Sequence, residues 1–73
     1  MAVEVFKTNV STRRYANKLL NHIHKTFSRY SANFDLDDCD NILRIQCSQG
    51  TISSKTLITF LKDLGCYAEA LPD

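Results

Sequence analysis

Apolar and polar residues follow two different rhythms along this chain, and the changes of rhythm mark out its elements. From Ala2 to Thr8 the β-branched and aromatic residues Val3, Val5, Phe6 and Thr8 interleave with Glu4 and Lys7. This predicts a strand, because side chains on extended backbone point to alternate faces. From Thr12 to Ser28 the period lengthens. At about 100° per residue, Tyr15, Ala16, Leu19, Leu20, Ile23 and Phe27 gather in one arc, with Asn17, Lys18, Asn21 and Lys25 opposite. An amphipathic helix follows, with Ser11 placed to cap its free N–H groups.

Strict alternation returns between Ser31 and Asp37, with Ala32, Phe34 and Leu36 on one side and Ser31, Asn33, Asp35 and Asp37 on the other. The polar cluster Asp37, Asp38, Cys39, Asp40 and Asn41 reads as a turn. Beyond it Leu43, Ile45 and Cys47 alternate with Arg44 and Gln46, so two half-buried strands form a hairpin. Gly50 breaks the chain, Ser53 caps a second helix whose inner arc is Leu57, Ile58, Leu61 and Leu64, and Gly65 supplies a left-handed residue after it. Cys66 to Leu71 is a last short strand. The expected order is βαββαβ, a ferredoxin-like α+β sandwich with a four-stranded antiparallel sheet and two helices on one face.

With 73 residues, 44% of them hydrophobic, the chain has material for one modest core, and residues 1–73 are read as a single domain. Low Gly and Pro content with four Phe and three Tyr argues against disorder. No apolar run approaches the roughly 20 residues needed to span a bilayer, and no hydrophobic leader precedes the first strand, so a soluble, cytoplasmic protein is expected. Cys39, Cys47 and Cys66 are then read as thiols rather than as a disulfide framework, with Cys47 filling a buried position.

Three segments in this order and spacing resemble one family across nearly the whole chain. They are Val5-Phe6-Lys7-Thr8-Asn9-Val10 leading into the first helix, the hairpin Phe34-Asp35-Leu36-Asp37 to Ile42-Leu43-Arg44-Ile45, and the ending Leu61-Lys62-Asp63-Leu64-Gly65-Cys66-Tyr67-Ala68-Glu69. The chain resembles a heavy-metal-associated domain, the fold of small copper chaperones and of the N-terminal modules of metal-transporting ATPases. In that family a Met-x-Cys-x-x-Cys loop before the first helix holds Cu(I), Zn(II) or a similar soft ion. The resemblance puts the two cysteine positions on Thr12 and Tyr15 and the methionine position on Val10. A hydroxyl and a phenol do not replace two thiolates, and Arg13 and Arg14 between them add positive charge where a cation would sit. No metal site is expected at this degenerate loop. The resemblance also implies that Cys66 lies near Thr12 and Tyr15, in a slot the family fills with Lys, Phe or Tyr. The favoured reading is that Cys66 simply fills that slot and packs; the alternative is a thiolate with its pKa lowered by Arg13 and the helix N-terminus, which would hold Cu(I) or Zn weakly unless a second molecule completed the site.

The other constellations point away from chemistry. His22 and His24 project about 200° apart on a helix and do not share an ion. Asp35, Asp37, Asp38 and Asp40 lack the central Gly and closing Glu of a calcium loop. A nucleophile paired with a positioned base is missing too, since both histidines lie far along the helix from Cys66, so no enzymatic activity and no cofactor are expected. Charge is unevenly divided: through Arg29 six bases face Glu4 alone, and the remainder holds three bases and seven acids, for a net +1. Such bipolarity steers docking to a charged partner. Nucleic acid is disfavoured, because the outer sheet positions Asn33, Asp35, Arg44 and Gln46 offer no stacking aromatics. The sequence therefore favours a small non-enzymatic binding or regulatory module acting by protein contact or self-association, with Arg13, Arg14, Lys18, Val3 and Val5 as partner-binding residues. The alternatives are a metal-handling domain using Cys66, or nucleic-acid binding through the basic first helix.

Overall fold

The structure, a computed structural model, describes residues 1–37 and 39–72; Asp38 and Asp73, counted above among the turn residues and the acids, lie outside the described residues. Four strands and two helices follow in the order β1 (Ala2–Thr8), α1 (Arg13–Thr26), β2 (Tyr30–Asp35), β3 (Ile42–Cys47), α2 (Ser54–Asp63) and β4 (Ala68–Ala70). The sheet runs β2-β3-β1-β4, and all three pairings are antiparallel. Since β1 and β2 both run against the β3 that separates them, they are parallel to each other, and α1 crosses over between them. The same holds for β3 and β4 about β1. Two βαβ units are thus interlaced, giving an α+β fold with one four-stranded antiparallel sheet and two helices. No helix among the described residues is long and apolar enough to cross a membrane.

Alternation decides which face is dry. Phe6 and Thr8 on β1, Ala32 and Phe34 on β2, and Leu43, Ile45 and Cys47 on β3 are buried. Ala16, Leu19 and Ile23 of α1 and Leu57 and Leu61 of α2 close over them in one cluster, with Val10 fully buried between β1 and α1. α1 packs mainly on β2, and α2 on β4. The opposite face carries Ser31, Asn33 and Asp35, then Arg44 and Gln46, then Val3 and Val5, as the register Val3↔Gln46↔Ser31 and Val5↔Arg44↔Asn33 requires. Val3 is 42% exposed there and Val5 half-buried.

Several boundaries differ from the sequence reading. The cap of α1 is Thr12, not Ser11: its extended backbone (φ −119°, ψ 144°) lets its hydroxyl accept from the Tyr15 N–H at 3.2 Å, and its carbonyl takes the first helical bond from Ala16. A cap oxygen reaches the N–H two or three residues on, and Thr12 holds that place for a helix that buries Ala16 and partly buries Tyr15. The helix ends at Thr26, because Phe27 has left helical geometry and its ring stacks on Tyr30 at 5.3 Å, drawing the start of β2 forward by one residue. β2 stops at Asp35, whose carboxylate accepts from the Asp37 N–H and turns the chain. β4 is shorter than expected, since Cys66 and Tyr67 belong to the helix exit. There Gly65 takes φ +82°, its N–H bonds the Lys62 carbonyl and the Cys66 N–H bonds the Leu61 carbonyl, a Schellman motif.

Candidate functional site

Three connections meet at the end of the sheet where β1 finishes. Thr8, the one buried polar residue among those described, ties two of them. Its N–H donates to the Asp40 carbonyl, its hydroxyl donates to the Asn41 carbonyl at 2.6 Å, and the same oxygen accepts from Val10 N–H at 3.2 Å. Asn41 adopts φ +50°, a left-handed conformation that Asn tolerates better than most residues, which carries the turn into β3. The third connection is joined by Asn9, whose side-chain carbonyl accepts from Tyr67 N–H at 3.1 Å, and by Tyr15, whose hydroxyl donates to the Leu64 carbonyl at 3.5 Å.

Cys66 lies beneath these bonds. The structure brings it together with Tyr15: both belong to the same packed region, and the charge of a Cys66 thiolate would disfavour ionising Tyr15. The chemistry of this meeting is the reverse of what a metal-handling reading needs. Cys66 is 2% exposed, its Sγ points at the Tyr67 carbonyl at 3.4 Å, and burial pushes its pKa up rather than down. Tyr15 is also raised, first by desolvation and then by the neighbouring thiol. Burial of Cys66 agrees with the reading in which it packs and not with the alternative of a thiol activated by Arg13 and the helix N-terminus. The Cys66 side chain enters the core, while Arg13 turns away and donates to the Phe34 carbonyl on β2 at 3.4 Å.

The donors at this end are therefore a neutral buried thiol, a phenol engaged with a carbonyl, and the Thr12 hydroxyl engaged with the helix cap. This set does not fit a soft cation, which is held by accessible thiolates. Among the described residues no three His, Cys, Asp or Glu side chains gather as a metal cluster. Cys47 is buried with its Sγ 2.7 Å from the Gln49 carbonyl, and Cys39 is exposed in the β2–β3 turn.

His22 and His24 are both exposed on α1 and share no partner among the described residues. His24 has a function that sequence reasoning missed: its Nε2 accepts from Ala32 N–H at 3.0 Å. Because β2 is an edge strand, that N–H would otherwise face water, and the imidazole covers it. Only the packing of α1 over β2 brings the two residues together, so no spacing pattern signals the bond. A second missed feature is an aromatic group at the opposite end, where Phe27 stacks on Tyr30 and meets Phe60 edge-on at 5.1 Å. A shallow hollow lined by Phe27, Lys55, Thr56, Thr59, Phe60 and Asp63 opens beside it. The partner-binding candidates sit on two separate surfaces, Val3 and Val5 on the open sheet face and Arg13, Arg14 and Lys18 on the exposed side of α1.

No protein-family model, curated protein or solved structure matches this chain.

Proposed function

We propose that this chain is a ferredoxin-like, heavy-metal-associated-type domain whose metal loop has become a structural closure, and that it acts as a non-enzymatic binding or regulatory module of the cytoplasm through protein contact. The strand order β2-β3-β1-β4 with its two interlaced βαβ units supports the fold reading. One observation carries the functional reading. At the end where a chaperone would offer two thiolates, Thr12, Tyr15 and Asn9 are engaged with the backbone and Cys66 is buried beneath them. What remains for recognition is surface: the open sheet face with exposed Val3 and half-buried Val5 offers apolar contact, and Arg13, Arg14 and Lys18 steer a charged partner.

Two measurements test this. Titrating the reduced protein with Cu(I) against a competing chelator gives no tight uptake on this reading; stoichiometric uptake that disappears in Cys66→Ser would establish the metal-handling alternative instead. Light scattering on the eluting protein, followed by capture of partners on the immobilised chain, shows association that Val3→Lys or Val5→Lys abolishes. Capture unaffected by either substitution would refute the role given to the sheet face.

A further inference from the structure

Residues 5–34 contain six Lys and Arg and no acid, and the fold concentrates most of these cations along one helix. On α1 the solvent-facing line is Arg14, Lys18, Asn21 and Lys25, at spacings of four, three and four residues, all exposed. The line is about 16 Å long at 1.5 Å rise per residue, and Arg29, beyond the helix end, is a further exposed cation just before β2. Every exposed position of α1 is basic, Asn, His or Thr, and among the described residues no ion pair neutralises these cations.

The arrangement works against the helix itself. Arg13 and Arg14 place positive charge at the positive end of the macrodipole with no acid in the first turn, and Arg14 and Lys18 are a like-charged pair at i,i+4, which destabilises where a Glu–Lys pair would stabilise. A helix needing only a wet outer face would carry acids among its bases. Local rules broken in this way point to a surface selected for something other than stability.

We infer that this face of α1 binds the phosphodiester backbone of a nucleic-acid duplex, without reading its sequence. Three features select that occupant. The apolar side of the helix, Ala16, Leu19 and Ile23, is buried under the sheet and leaves nothing to insert into a membrane. The exposed line has no apolar or aromatic anchor, which a protein interface requires at its centre and a single strand requires for stacking. A rigid row of cations with an amide among them does suit a polyanion, whose affinity comes from releasing condensed counterions. The missing aromatics of the outer sheet do not bear on this surface, since α1 covers the other face. Asp35 projects from that outer face as well, away from the row. The inference shares Arg14 and Lys18 with the protein-contact reading but not the sheet face, so Val3→Lys and Val5→Lys, which test that reading, leave duplex binding unchanged.

Fluorescence anisotropy with a labelled duplex of about 20 base pairs tests it on the full chain. Binding is expected at low salt, with log K falling against log salt at a slope of about −3 for three to four phosphates neutralised, so that doubling the salt weakens binding roughly eightfold. Lys18→Gln reduces the slope by about 1, and the triple variant Arg14→Gln, Lys18→Gln, Lys25→Gln abolishes binding while its urea midpoint holds or rises. Lys62→Gln, on α2, changes nothing. Absence of binding at low salt, a slope near zero, or a slope that Lys18→Gln leaves unchanged would overturn the inference. So would poly-glutamate competing as well as the duplex at equal charge concentration, because the recognised partner would then be an acidic protein segment.

Discussion

Cys66 separates a structural thiol from a chemical one. It is 2% exposed, stands in the core cluster and is directed at a backbone carbonyl. Replacing it by Ala removes one buried sulfur: about 0.8 kcal/mol of lost burial for a methylene-sized group, and roughly 0.5 kcal/mol for a ~20 Å³ void at ~24 cal/mol per Å³. The expected loss is therefore about 1–1.5 kcal/mol, read as a lower urea midpoint at pH 7 with an unchanged m-value. The pH dependence is the sharper measurement. Burial raises the thiol pKa in the folded state, so below the ordinary thiol value, roughly 8.5, folded and unfolded chains are both protonated and stability does not respond. Above it the unfolded chain releases a proton that the folded chain retains, and stability falls with rising pH, by up to about 1.4 kcal/mol per unit, until the raised pKa is reached. Cys66→Ala should flatten that limb, leaving the later contribution of Tyr15, which is raised in the same direction. Thiol titration of the native reduced protein should show one fast group, exposed Cys39, and two slow ones, buried Cys47 and Cys66. Rapid modification of Cys66 at pH 7, or stability that rises between pH 8 and 9.5, would refute the reasoning.

Other expectations follow from single contacts. Thr8→Val keeps the shape but leaves the Asn41 carbonyl and the Val10 N–H without their partner, so a loss of about 1–3 kcal/mol is expected in urea unfolding. His24→Ala uncovers the edge N–H of Ala32; the global loss should be only about 0.5–1.5 kcal/mol, since water reaches the site, while hydrogen exchange at the Ala32 amide accelerates more than at the sheet centre. Gly65→Ala meets no atom within 4 Å but must adopt φ +82°, so it should cost about 1–2 kcal/mol through backbone strain alone, and Gly65→Asn distinctly less.

Much of the architecture was legible because the two periodicities are local properties of the backbone. Phe6, Ala32, Phe34, Leu43 and Ile45 could be assigned to one sheet face, and Ala16, Leu19 and Ile23 to one helix face, from spacing alone. Gly65 could be read as the helix exit, since a left-handed residue there favours glycine. The boundaries were less legible, because they depend on distant partners. Thr12 rather than Ser11 caps α1 because of the side chains that must enter the core, and β2 starts early because Tyr30 stacks on Phe27.

At the candidate site the division is sharper. Residue chemistry alone showed that Thr12 and Tyr15 do not supply soft-metal ligands and showed a long stretch without acids. It favoured burial for Cys66 without deciding between that and activation by a helix N-terminus. Only the packed structure decided that, by turning Arg13 to β2, drawing the Tyr15 hydroxyl to Leu64 and placing the thiol beneath. The reason is physical: periodicity and side-chain type are written residue by residue, whereas a thiol's pKa is set by how much water and charge surround it once residues far apart in the chain have closed over it.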